Sequence, residues 1–321
     1  MDELLKRVYT DTSAKPHRDK ARKMTDKELA RMEKHIQRQY KQATSEITEK
    51  WNAYMERAQK RLEKHENALS DALATGDDKL IAEAEETLKN AKRSITFQDA
   101  KYRAMVEDTT VRMANANQIA IDYCNDKVPN IYAMNYNQSK YVAKMGGFAF
   151  NLVNEDVAKR LLRESVPPKR LSVPKDVRWN KKQINSAVLQ GILQGEDMKK
   201  ISKRILPIVD NNKAAAMRTA RTMVTQAENM GRLDSYRRLE ESGAILRKYW
   251  IATGDRRTRE WHLVMDGQER NIDEPFEDGH GNLLDCPADP NAAMETVYNC
   301  RCSMGTIVVG FRKEDGSVSL V

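Results

Sequence analysis

The sequence predicts an α+β protein: a long α-helical hairpin or bundle in the N-terminal region, followed by a small α+β C-terminal domain with few strands and loop-rich segments. Three observations predict it. Apolar residues recur every eleven positions between Leu29 and Leu73, three prolines fall within Ser165–Lys175, and beyond Gly243 the helical texture gives way to short β-type runs separated by Asp, Gly and Pro.

The elements follow in chain order. Residues 1–24 carry no apolar period and read as a polar arm. Thr25-Asp26-Lys27-Glu28 has the form of a capping box, so a helix is expected to begin there. Leu29, Tyr40, Trp51, Leu62 and Leu73 form one row and Ile36, Ile47, Ala58 and Leu69 the next. Eleven residues in three turns is ~3.67 per turn, close to the relaxed helix, which implies a long and nearly straight rod. Fifty residues at ~1.5 Å each would reach ~75 Å. Thr75-Gly76-Asp77-Asp78 supplies a stop and a restart. Further helix is expected to about Asp122, then mixed structure from 124 to 158, the whole making a helical region over 25–164.

The prolines at 167, 168 and 174 mark residues 165–178 as a basic linker, and 179–321 as a second domain. Helical patterns run over 181–191, 196–206 and 213–241, ending at Ser242-Gly243. Residues 244–252 and 305–311 read as strands.

Composition limits the function. The 321 residues are 40% hydrophobic and 32% charged, with a formal net charge of +8 and a mean hydropathy of −0.74. No run approaches the ~18 apolar residues a membrane span needs. Four cysteines are too sparse for a disulfide scaffold. No apolar leader follows Met1, so a reducing cytoplasm, or a particle assembled in one, is the expected setting. The charge is unevenly placed: residues 159–204 hold 13 basic and 4 acidic groups, whereas residues 260–295 hold 1 and 10.

The basic stretch contains Lys169, Arg170, Lys175, Arg178, Lys181, Lys182, Lys199, Lys200, Lys203 and Arg204, with Trp179 among them. Such an excess suits sequence-independent contacts to nucleic-acid phosphates; a solvated helix face has the same composition. No zinc-finger, homeodomain or basic-zipper pattern accompanies it, so base-specific readout is not implied.

His262, Cys286, Cys300 and Cys302 provide one nitrogen and three sulfurs, the donor set of a tetrahedral structural zinc site. Buried thiols beside a hydrogen-bonded histidine are the other reading, since Cys-x-Cys is an uncommon zinc spacing. His262 near Asp255 and Asp266 could in principle serve acid–base or open-metal chemistry. Yet the chain has no Gly-x-Ser-x-Gly, Walker loop, His-Glu-x-x-His or Gly-x-Gly-x-x-Gly, and no catalytic residue is assigned.

One ordered series of residues is more specific than any of its parts. Ala220-Arg221-Thr222 and Ala227-Glu228-Asn229-Met230-Gly231-Arg232 are followed by Tyr249-Trp250, then Asp255-x-Arg257-Thr258-Arg259-x-x-His262, then Asp266-Gly267-Gln268. Pro275-Phe276, Cys286-Pro287-Ala288-Asp289-Pro290 and Asn299-Cys300-Arg301-Cys302 complete it. This series, over about residues 180–304, resembles the phage head morphogenesis family, the Mu F-like minor capsid proteins. In that family an aromatic residue often precedes the Pro-Ala-Asp-Pro segment; here it is Cys286, which either completes a metal site or is incidental.

The resemblance implies a non-enzymatic minor capsid protein of a tailed bacteriophage. It would be assembled in the host cytoplasm and carried in the virion, inside the capsid, by association with the portal protein. Scaffold or major capsid protein and non-specific DNA would be further partners, in head assembly and in DNA packaging and ejection. Arg221, Thr222, Asn229, Trp250, Asp255, Arg257, Thr258, Arg259, Asp266, Gly267 and Arg301 would then be structural. Arg259 and Arg301 are expected to pair with acidic residues of 260–295. The competing readings are a metal-dependent nuclease or other hydrolase acting on DNA, and a stand-alone nucleic-acid-binding module.

Overall fold

The computed structural model describes residues 20–165, 176–313 and 315–321. The described residues begin with helices α1 (Lys20–Thr75) and α2 (Asp78–Arg93), a π-helical turn at Ser94–Gln98, and α3 (Ala100–Asn137), α4 (Lys140–Gly146) and α5 (Glu155–Ser165). Helices α6 (Val177–Leu193), α7 (Met198–Lys203) and α8 (Leu206–Glu241) follow. The remainder is β1 (Ala244–Ile251), α9 (Glu260–Val264), β2 (Glu269–Asn271), β3 (Phe276–Glu277), β4 (Leu283–Leu284), α10 (Met294–Val297), β5 (Ser303–Arg312) and β6 (Val318–Leu320). The architecture is α+β, with a long helical region and a small antiparallel sheet.

The described residues fall into two compact units. One contains 35–120 and 176–216 and is entirely helical. The eleven-residue rows of α1 supply its core: Tyr40, Trp51, Leu62, Ile36, Ile47 and Ala58 are all buried, whereas Leu73 is 57% exposed. Trp51 Nε1 donates to Thr109 Oγ1 at 2.8 Å, so the largest apolar side chain is also satisfied at its polar atom. A chain of buried amides crosses this core. Tyr40 donates to Asn117 Oδ1, Asn117 Nδ2 to Asn212 Oδ1 (2.9 Å), and Asn212 Nδ2 to Asn180 Oδ1 (2.8 Å). The α1–α2 turn is made by Gly76 at φ +68° and by Asp77, whose carboxylate accepts from the amides of Lys79 and Leu80.

The other unit contains 20–34, 121–165 and 217–321 and holds the sheet, in the order β2-β1-β5-β6. Strands β1 and β5 pair antiparallel from Ala244↔Phe311 to Ile251↔Ser303, with a bulge between Ile245 and Leu246. Along β1 the core-facing positions are Ala244, Leu246, Lys248 and Trp250. The lysine at such a position is accommodated by Nζ donating to the Asp285 carbonyl at 2.9 Å and lying 5.1 Å from the centre of the Phe276 ring. Burial pushes its pKa down.

Two element boundaries in the N-terminal helical region differ from the sequence-based expectation. Helix α1 is already formed at Lys20, ahead of Thr25; Thr25 is a buried interior residue whose hydroxyl accepts from Asn135 Nδ2 at 2.9 Å instead of capping the helix. Helix α3 continues through Pro129 to Asn137, beyond the expected end near Asp122. The proline gives up one helical hydrogen bond, and burial of Ile131, Tyr132, Ala133 and Tyr136 outweighs it. Most of the expected linker, together with residues 1–19 of the expected arm, lies outside the described residues.

Candidate metal centre

The buried face of α8 carries polar residues at 222, 225, 229 and 232, a three-four-three spacing that places them on one stripe of a helix. Each binds the main chain of residues 299–304. The Asn299 amide donates to Thr222 Oγ1 (2.8 Å), Thr225 Oγ1 donates to the Cys300 carbonyl (2.8 Å), and Arg232 Nη1 to the Met304 carbonyl (3.1 Å). Asn229 does two jobs, donating to the Cys302 carbonyl (3.3 Å) and accepting from the Met304 amide (3.0 Å). Glu228, beside the stripe, accepts from Ser303 Oγ (2.8 Å) and pairs with Arg22 Nη1 (2.5 Å), while Arg22 Nη2 donates to the Arg301 carbonyl (2.9 Å). Asn299 itself sits at φ +59°, a left-handed conformation that asparagine tolerates, at the start of this strap of residues 299–304.

With its backbone held from that side, the strap presents Cys300 and Cys302 to His262 of α9. The Nδ1 atom of His262 lies 3.7 Å from Cys300 Sγ and 3.4 Å from Cys302 Sγ, and all three residues are buried, with their donor atoms within 4.8 Å of one another. The other ring nitrogen, Nε2, is 2.8 Å from the Thr296 carbonyl. A carbonyl can only accept, so Nε2 donates its hydrogen there and Nδ1 is the ring nitrogen turned toward the sulfurs. Trp250 of β1 closes one side, edge-on to the imidazole at 5.6 Å. The Cys300 thiol, donating to Cys302, pulls the Cys302 pKa down, with His262 acting in the same direction; that same bond, with burial, pushes the Cys300 pKa up.

Cys286 does not join the group. It is buried elsewhere, beside Asp289 and Lys248, where desolvation first and the Asp289 charge second push its thiol pKa up. Of the four proposed ligands, the structure therefore brings three together.

The turn after β1 is fastened to the same strap. Arg301 grips Asp255 by two bonds, Nη1–Oδ2 at 2.5 Å and Nη2–Oδ1 at 2.7 Å. Asp255 Oδ1 also accepts from the Arg257 amide (2.9 Å) and the Thr258 hydroxyl (3.2 Å). Arg259 donates to the Tyr298 carbonyl at 2.5 Å. Neither arginine pairs as the sequence suggested: Arg301 takes an acid outside 260–295 and Arg259 takes a main-chain oxygen. Asp266 accepts from the Ala252 amide (2.7 Å), and Gly267, at φ +74°, donates its amide to the Trp250 carbonyl (2.9 Å). Arg221 pairs with Glu33 at 2.6 Å.

The described members of the basic stretch lie in the helical unit. Arg178, Lys181, Lys182, Lys199, Lys200 and Lys203 are exposed, while Arg204 is held by both oxygens of Glu196 at 2.6 and 2.8 Å and is thereby committed. Lys199 and Lys203 also line an open groove of about 670 Å³ between α1 and α7, floored by Met55 and Met198. Lys169, Arg170 and Lys175 lie outside the described residues.

Thr225, Glu228, Arg232, Thr296 and Lys248 were not singled out from the sequence as site residues. The signal for Thr225 and Arg232 was the polar stripe itself, at helical spacing inside a run that is otherwise apolar on that face.

Residues 182–305 match the family model described as Phage Mu protein F like protein. The chain is 27% identical over 248 residues to the minor head protein GP7 of Bacillus phage SPP1, covering 71% of this chain and 78% of that protein. It is 29% identical over 167 residues to an NAD(+)–arginine ADP-ribosyltransferase EFV of Enterococcus faecalis, covering 52% of this chain but 32% of that protein. No solved structure matches.

Proposed function

We propose that this chain, whose residues 182–305 belong to the Phage Mu protein F like family, is a minor head protein of a bacteriophage and a structural part of the virion instead of an enzyme. The observation that carries this reading is the similarity to the SPP1 minor head protein, which extends over 71% of the chain and so well beyond the family segment. The activity named for the ADP-ribosyltransferase is not carried over, because only 32% of that protein is matched.

The finer assignment is a place inside the procapsid against the portal protein, acting in head assembly and in DNA packaging and ejection. The exposed cations Arg178, Lys182, Lys199 and Lys203 support sequence-independent contact with packaged DNA. Helical surfaces of this length suit docking against other head proteins, and no described helix is long and apolar enough to cross a membrane.

The test is deletion of the gene from its phage. Heads should still form, with infectivity per particle reduced; particles of normal infectivity would defeat the reading. Co-sedimentation with portal protein when the two are produced together tests the portal contact separately.

A further inference from the structure

Three features of the centre call for an occupant. First, one ring nitrogen and two sulfurs, all buried and from positions 38 and 40 residues apart, converge with their donor atoms within 4.8 Å of one another. Second, the Nδ1–Sγ separations of 3.4 and 3.7 Å bracket the edge of about 3.6 Å that tetrahedral zinc produces from bonds of ~2.0–2.1 Å to nitrogen and ~2.3 Å to sulfur. Third, the imidazole is already oriented by the Thr296 carbonyl, the outer contact that metal-ligating histidines usually make. The setting has a structural need as well. The segment between β1 and β5 contains only helices of five and four residues and strands of two or three, so regular backbone hydrogen bonding does little to hold it.

We propose that His262 Nδ1, Cys300 Sγ and Cys302 Sγ bind one zinc ion, with a solvent oxygen as the fourth ligand, and that the ion fastens α9 to the strap. Imidazole and thiolate together select zinc over magnesium, calcium or manganese. Both thiols release their protons to solvent when the metal binds, and the zinc–sulfur bonds replace the S–H bonds without any change of oxidation state. Among the described residues no fourth histidine, cysteine or carboxylate reaches the group, so the site is a three-ligand centre and Cys286 is not part of it.

The experiment is elemental analysis of the full chain purified without chelator, with X-ray absorption at the zinc edge. An equimolar amount of zinc, in a shell of two sulfurs and two lighter atoms, is the expected result. Cys286→Ser should retain the metal in full, and Cys300→Ser with Cys302→Ser should lose it. Should the double variant fail to fold, cobalt(II) loaded into the wild-type protein reads the same ligands through thiolate-to-cobalt charge transfer and intense tetrahedral d–d bands. Wild-type protein with little zinc and no such bands would overturn the proposal, as would a Cys300–Cys302 disulfide in protein prepared anaerobically. Loss of zinc from Cys286→Ser would overturn the ligand set.

Discussion

Arg301 and Asp255, 46 residues apart in sequence, meet through two hydrogen bonds, one to each carboxylate oxygen, of 2.5 and 2.7 Å. The guanidinium holds the Asp255 carboxyl well below the usual carboxylate range, with the Arg257 amide and Thr258 hydroxyl adding to the effect. The pair ties the turn after β1 to the strap beside His262.

That depression fixes a sign. A carboxylate whose folded pKa is lowered contributes stability in full above its unfolded value of ~3.9, and loses it as pH falls toward the folded value. Asp255→Asn should therefore be less stable than wild type at pH 6, and the difference should shrink as pH drops below ~4. Urea denaturation across that range checks it; a difference independent of pH would show that the pairing contributes nothing.

Asn229→Ala should destabilise by about 1–3 kcal/mol, because it leaves the Cys302 carbonyl and the Met304 amide buried without their partner. Thr222→Val, which removes one acceptor, should cost less. Equilibrium unfolding of the two variants gives the comparison.

Gly231→Ala should also destabilise, against the helix-propensity gain of up to ~1 kcal/mol. An added Cβ would stand 2.5 Å from the Tyr132 carbonyl oxygen, so α3 and α8 would have to separate. The net expectation is a loss of about 1–3 kcal/mol, read from the midpoint of thermal or urea unfolding.

Charge reversal at Lys182, Lys199 and Lys203 tests the DNA contact. Binding to duplexes of unrelated sequence should weaken alike, and the slope of log affinity against log salt should flatten by about 2–3 if each lysine meets one phosphate. Unchanged affinity would assign these lysines to an ordinary solvated face.

The rod was legible because its signal is redundant: nine apolar positions in two rows report one period, and Tyr40, Trp51 and Leu62 are buried as that period requires. The two long strands were legible for the same reason. Strands β2, β3, β4 and β6 were not, since two or three residues cannot display an alternation. At the centre, residue types pointed to His262, Cys300 and Cys302 but also to Cys286, because composition counts donors without locating them. The partners of Arg301 and Arg259 were misjudged from local charge density; what decided them was the path of the chain after β1. Lys248 was illegible for a simpler reason, that alternation alone assigns a lysine to the solvent side.

Arg22, in the first turn of α1, bonds Glu228 and the carbonyl of Arg301, partners 206 and 279 positions further on. During synthesis the start of α1 emerges long before either, and its guanidinium cannot complete both bonds until residue 301 has left the ribosome. The sheet-bearing unit thus closes late, after nearly all of its sequence has been made, and contacts spanning such distances are slow to form. A ribosome stalled before the strap would leave this unit open, even with every residue of α8 already in place.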